Sequence, residues 1–107
     1  FEEVIDVACS DGLAPDPTTN RCPDNGALVD ISDCSISSDR GANEIKTVWT
    51  DDSFDSSGKS FYYVRVLENP SCRWSTWDAV KNGTEPREDL QPTIQERAWS
   101  SPIWYSY

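Results

Sequence analysis

The sequence contains no histidine, and only nine lysines and arginines stand against nineteen aspartates and glutamates in its 107 residues. Without imidazole, the Ser-His partnership that activates a serine nucleophile cannot be assembled. Lys46, Lys59 and Lys81 sit in no SxxK pattern, so a Ser-Lys pair has no support either. Cys9, Cys22, Cys34 and Cys72 form no CxxC or CxxxxC pair, and a zinc site would need four scattered thiolates with no imidazole among them. The shortage of basic residues leaves a net charge of -10 and a pI near 4.2. Such a chain is repelled by phosphate backbones and anionic membrane surfaces, so neither nucleic acid nor membrane is an expected partner. No apolar run approaches the roughly 20 residues that span a bilayer. Repeats, low-complexity tracts and a signal peptide ahead of Phe1 are also missing, and we expect that processing or fragmentation has removed what came before.

What remains is a chain lean in aliphatics, with 36% hydrophobic residues and a mean hydropathy of -0.63, but carrying five Trp, four Tyr and three Phe. The core is therefore expected to consist of few, large side chains, with Trp49, Trp99 and Trp104 inside it. One domain of this size buries only about two thirds of its unfolded surface, so its stability needs help. The cysteines supply it. A disulfide framework implies an oxidising compartment, periplasmic or secreted. Of three possible connectivities, Cys9 with Cys22 and Cys34 with Cys72 is favoured, the first bridge closing the turn-rich loop SDGLAPDPTTNRC.

Along the chain, FEEVIDVA alternates and suits a half-buried strand with Ile5 and Val7 inward. ALVDISDCSI and DRGANEIKTVWTD read as strands, or as a strand followed by a short helical start at Ala42, the second stretch with Ile45, Thr47 and Trp49 on one face. SFYYVRVLE is apolar on both faces except at Arg65, which predicts a central strand ended by Asn69-Pro70. CRWSTWDAVKNG has helical spacing, with Ser75 or Thr76 as N-cap and Gly83 as stop. AWSSPIWY is the last strand, at an edge or a strand start because of Pro102. The expected fold is mainly β and antiparallel, with a short helical excursion between the last two strands.

Candidate sites follow from side-chain chemistry. Asp51, Ser53 and Asp55 alternate oxygens before Gly58, as in a calcium loop, but no distal bidentate Glu follows, and a solvated turn is the plainer reading. Acidic residues are abundant enough that some pair always lies close, and Glu96 alone has a specific neighbourhood, where an ion pair with Arg97 or Arg73 explains it. Trp74 and Trp77 could stack on sugar rings. Asn82-Gly83-Thr84 is a glycosylation sequon.

FYYVRVLENPSCRWSTWDA and TIQERAWSSPIWY resemble the carboxy-terminal end of a family of bacterial exported proteins of unknown function. Its full-length members begin with a region like the PHP-type (polymerase and histidinol phosphatase) metal-dependent hydrolases. The segment from FEEVIDVA to DISDC resembles the sequence that precedes those motifs, so the likeness runs over nearly the whole chain. It implies that a divalent metal is bound upstream by histidines this chain does not contain, with no cofactor held here. It also implies an antiparallel Ig-like β-sandwich of which residues 1–107 hold the later strands, as a single C-terminal segment of a larger protein. The partner is then the remainder of the parent polypeptide, or a second copy, completing the sheet. The resulting expectation is a noncatalytic segment whose Arg73, Trp74, Trp77, Glu96 and Arg97 border an active site in the parent. The alternative is a freestanding secreted carbohydrate-binding module that uses exposed Trp rings.

Overall fold

The computed structural model describes residues 1–106. It is mainly β: four two-stranded antiparallel sheets, one short helix and two disulfides. A small hairpin pairs β1 (Val29–Asp30) with β2 (Ser35–Ile36). The other six strands make one long ribbon. Its outgoing arm is β3 (Ser60–Tyr62), β4 (Arg65–Leu67) and β5 (Ser71–Cys72); its returning arm is β6 (Thr93–Ile94), β7 (Arg97–Trp99) and β8 (Ile103–Tyr105). β3 pairs with β8, β4 with β7 and β5 with β6, all antiparallel.

The ribbon is cut into three pieces at its prolines. Register places Asn69 and Pro70 opposite Gln95 alone, and Tyr63 opposite both Ser101 and Pro102. Proline donates no N–H to a ladder, so the pairing tolerates it only where an extra residue bulges out. At the first bulge the Gln95 amide reaches back to the Glu68 carbonyl at 3.2 Å. At the second, the Val64 N–H donates to the Ser100 hydroxyl at 2.9 Å. Aromatic and β-branched residues at Phe61 to Val66 make the arm a strand; Pro70 and Pro102 decide where it breaks.

Helix α1 (Trp74–Asn82) fills the turn at the ribbon's tip. Gly83 closes it in the left-handed conformation, φ 65°, its N–H and that of Thr84 bonding back to Val80 and Ala79. The N-cap is Arg73, with no side-chain cap bond, rather than Ser75 or Thr76. Those two lie inside the helix because the Thr76 hydroxyl donates instead to the Pro92 carbonyl at 2.7 Å, fastening the helix to the start of the return arm. Beside it, the Arg73 guanidinium donates to the Gln91 carbonyl at 2.8 Å.

Among the described residues the buried ones are Cys34, Cys72, Ser75, Thr76 and Ala79, with Thr76 the most completely enclosed. The core therefore sits where the Cys34–Cys72 bridge joins the small hairpin to the ribbon tip under α1. In the chain-entropy account, its 38-residue separation is worth roughly 4 kcal/mol. The Cys9–Cys22 bridge, separated by 13, is worth roughly 3 kcal/mol on the same basis.

Several sequence expectations differ from what is found. FEEVIDVA forms no strand, because no partner strand lies alongside it; it is held instead by Asp6, whose N–H bonds the Asn20 carbonyl and whose carboxylate accepts the Cys22 N–H at 2.7 Å. DRGANEIKTVWTD also forms no strand and is exposed over most of its length. SFYYVRVLE, expected to be central, has a neighbour on one side only among the described residues. Trp49, Trp99 and Trp104 are exposed, not core, because a two-stranded ribbon places no layer over its own faces.

A polar knot joins the loops to the first bulge. The Asn25 amide donates to Asn69 Oδ1 at 2.9 Å and to Asp11 Oδ2 at 3.1 Å. The Asn69 amide donates to the Arg40 carbonyl at 3.0 Å, and Asp11 accepts the Gly41 N–H at 3.0 Å. Gly41 has φ 93°, and a Cβ there would lie 2.6 Å from Asn69 Nδ2. Gly12 also has positive φ, 69°, but an added Cβ would meet nothing within 4 Å. Both alanine substitutions incur left-handed strain of about 1–2 kcal/mol. Gly41→Ala must also displace the bonded Asn69 amide, and should cost about 1 kcal/mol more than Gly12→Ala. Urea denaturation of the two variants side by side checks this.

Candidate functional site

The ribbon's two faces are treated differently. On one, the loop after Trp49 folds over Tyr62 and Tyr105. Trp49 meets Tyr62 edge-on at 6.3 Å, and Phe54 meets Tyr105 edge-on at 4.8 Å. The Tyr62 hydroxyl donates to Asp51 at 2.7 Å and the Tyr105 hydroxyl to the Ser56 carbonyl at 3.0 Å. On the opposite face, Phe61 and Trp104 oppose each other across the strands, ring centroids 5.1 Å apart, with Tyr63 stacked on Phe61 at 6.3 Å. That face is open at its aromatic pair, Trp104 being 73% exposed and Phe61 45%, while Tyr63 is half-buried and its hydroxyl donates to Glu2. An open hollow of about 320 Å³ lies beside them, lined by Lys59, Ser60, Phe61, Trp104, Tyr105 and Ser106. Further along the ribbon, Val66, Leu67 and Trp99 are exposed too.

The magnitude is out of line for a folded monomer. A compact chain of this length has a radius of gyration of about 13 Å; here it is 18.0 Å, with extents of 59 × 27 × 24 Å. The accessible surface is 8715 Å², against about 6,000 Å² for a globular protein of this mass. Large apolar side chains share in that exposure, Trp104, Ile103 and Trp99 on the ribbon and Phe1, Leu28 and Val48 outside it. Charge is partitioned along the same line. Residues 1–58 hold thirteen of the nineteen acidic and three of the nine basic residues, while residues 59–107 hold six of each. The solvated loops carry the whole net charge, and the ribbon with its helix is neutral.

The sequence-derived candidates fall in separate places. Arg73, Trp74 and Trp77 sit at the ribbon tip, both Trp rings exposed. Trp74, Asp78 and Asn82 line a shallow groove of about 220 Å³ along α1, with Arg87 across it; Arg87 Nε is bonded to Asp89 at 2.9 Å. Glu96 and Arg97 lie lower down, roughly 15 Å along the strands, where Arg97 faces Leu67. Successive strand residues point to opposite faces, and Glu96 forms no ion pair with Arg97 or Arg73. The salt bridges among the described residues are Arg21–Asp6 and Arg87–Asp89. The five residues thus do not gather into one site.

Asp51 and Asp55 each close their own turn. Asp51 accepts the Ser53 N–H at 2.9 Å, and Asp55 accepts the Ser57 N–H at 2.8 Å, with both serine hydroxyls also bonded. Among the described residues no group of three or more His, Cys, Asp or Glu could hold a metal ion. Cys9, Cys22, Cys34 and Cys72 are all bridged. Two disulfides place the chain outside the reducing cytoplasm. No helix among the described residues is long and apolar enough to cross a membrane. Sequence reasoning missed the Asp11–Asn25–Asn69 knot, whose members stand out in the chain only as turn residues.

What the geometry offers, then, is an exposed pair of aromatic rings, Phe61 and Trp104, on a strand ribbon of balanced charge. A family described as "Protein of unknown function (DUF3604)" matches residues 1–107, the whole chain. The chain belongs to the DUF3604 family. No curated protein and no solved structure matches it.

In this DUF3604 chain, hydrogen bonding to the charged form holds several carboxyls below their ordinary range. Asp11 is lowered by Ser10 and the Gly41 N–H, Asp33 by Ser35, Asp51 by Tyr62 and Ser53, and Asp55 by Ser57. Tyr62 and Tyr63 are raised, by Asp51 and Glu2 respectively. A depressed carboxyl stabilises the fold above the unfolded value of 3.8, and the contribution is lost as pH falls through the folded value. A raised tyrosine acts in the opposite sense: its contribution holds below the unfolded value of 10.0 and disappears as pH climbs through the folded one. NMR titration of the carboxyl carbons should give midpoints below 3.8 for Asp11, Asp33, Asp51 and Asp55. Tyr62→Phe should bring Asp51 back toward that value while leaving Asp33 unmoved.

Proposed function

We propose that this DUF3604 chain is a noncatalytic C-terminal segment of an exported, PHP-like metal-dependent hydrolase, periplasmic or secreted. It supplies the later strands of an Ig-like sandwich whose remaining layer comes from the rest of the polypeptide. A divalent metal in that parent is bound upstream, outside residues 1–107. The observation that carries this reading is the uncovered Phe61–Trp104 face on a neutral ribbon, in a chain exposing roughly 2,700 Å² more than a globular protein of its mass. Aromatic rings exposed together on a neutral strand surface have the chemistry of an interface core, where charged residues are depleted and aromatics enriched. The choice of a PHP-like parent within this reading rests on the resemblance of FYYVRVLENPSCRWSTWDA and TIQERAWSSPIWY to the ends of such exported proteins.

A second reading draws on the helix groove. Trp74 is 68% exposed, with Asp78 and Asn82 one and two turns along on the same stripe. An aromatic platform beside a carboxylate and an amide is a sugar-binding combination, as a freestanding carbohydrate-binding module would use.

Acrylamide quenching with single-tryptophan variants separates the two. In residues 1–107 alone, Trp74, Trp99 and Trp104 should all quench freely; in the full polypeptide Trp99 and Trp104 should be shielded several-fold while Trp74 stays accessible. Equal quenching in both forms refutes the segment reading. Titration with soluble polysaccharides tests the other: saturable change in Trp74 emission, abolished by Asp78→Ala, supports the sugar module, and a flat response removes it.

A further inference from the structure

The covered-face reading leaves open how the ribbon joins the body that covers it, and the backbone bonding pattern bears on that. The Glu68 N–H donates to the Glu96 carbonyl at 2.9 Å, and the Ser100 N–H to the Val64 carbonyl at 2.9 Å. Antiparallel ladders alternate, so Val64, Val66 and Glu68 turn their N–H and C=O groups toward the return arm. Arg65 and Leu67 must then turn theirs outward. Among the described residues no loop, side chain or further strand meets those groups.

The outward edges of the two arms are not equivalent. From Lys59 to Asn69 the outgoing arm contains neither proline nor glycine, so every residue can donate. The return arm is broken by Pro102, which has no N–H, and by the bulge it causes. Proline and bulges are the usual devices that blunt an edge against pairing. Over Lys59–Asn69 the outgoing arm has none; its own proline and bulge come only beyond β4, at Asn69-Pro70. It also carries apolar residues on both faces, Phe61, Val64, Val66 and Leu67 among them, as a strand flanked on both sides does.

We infer that the outgoing arm accepts a third β-strand along Arg65–Leu67, contributed by the polypeptide outside residues 1–107. This rests on the segment reading above and adds the mode of attachment: main-chain pairing at one named edge, rather than face packing alone. The incoming strand is uncharged and alternately apolar, since its neighbours are the exposed side chains of a neutral ribbon. Charge argues against a second copy of this chain in that place, because it would bring a further net charge of -10. The area argues the same way: a lone strand covers only part of the excess surface, so the added strand is the margin of a larger body.

Amide hydrogen exchange, resolved by residue, tests this on the full polypeptide that carries the chain. The Arg65 and Leu67 amides should exchange on the order of 100-fold more slowly there than in residues 1–107 alone, while Arg97 and Trp99, outward on the other arm, show no such change. If Trp99 and Trp104 are shielded from quencher but the Arg65 and Leu67 amides stay fast, strand addition is wrong while the segment reading stands. Protection that rises with protein concentration points to a second copy and overturns the proposed occupant. Leu67→Pro provides an independent check. It removes an N–H the ribbon itself does not use, so it should disrupt the full polypeptide far more than Arg97→Pro; equal tolerance of both overturns the inference.

Discussion

The Cys34–Cys72 bridge is the constraint on which the described architecture turns, because every fully buried residue belongs either to it or to the helix packed on its strand. Without that bond the small hairpin has only a few residues of pairing to hold it, and isolated two-stranded hairpins are marginal in water. The bridge ties the turn of the small hairpin at Cys34 to Cys72 in β5, α1 packs down on β5, and the Thr76 hydroxyl donates to the Pro92 carbonyl at the start of the return arm. Local order propagates from there. Ribbon pairing, Gly83 capping and the polar knot add to a core that is covalent before it is hydrophobic.

A covalent core of five residues does not bury a chain's aromatic surface, and here it does not. The consequence is an unusual division of labour between the two parts of the molecule. Residues 1–58 are acidic, turn-rich and stapled by Cys9–Cys22, with carboxylates such as Asp51 and Asp55 closing turns and Asp11 joining loops. Residues 59–106 are neutral, strand-rich and apolar on their open face. Acidic loops keep their part of the molecule hydrated; the ribbon, with charges in balance, exposes aromatic rings at Phe61, Trp99 and Trp104.

The extent to which this was legible in the sequence depends on whether the information was local. The alternation in SFYYVRVLE and AWSSPIWY, the helical spacing after Trp74 and the stop at Gly83 are short-range signals, and strands and a helix appear there. FEEVIDVA and DRGANEIKTVWTD carry the same alternation yet stay irregular, since a strand needs a neighbour and the pattern does not say whether one is supplied. Trp49, Trp99 and Trp104 looked like core for a sound reason, scarcity of aliphatics, but burial depends on what lies opposite. The Asn25–Asn69 contact spans 44 residues and depends on a bulge whose cause, Pro70, was read only as a strand stop. Arg73, Trp74 and Trp77 lie at the ribbon tip and Glu96 and Arg97 lower on its return arm, a separation along the strands that the sequence motifs do not display.

The knot of Asp11, Asn25, Arg40, Gly41 and Asn69 binds the loops of the acidic half to the ribbon at its first bulge. It leaves the Phe61–Trp104 face free. The bulge therefore cannot shift register without giving up the bonds of two side-chain amides at once, so the ribbon's alignment is set from outside its own ladder.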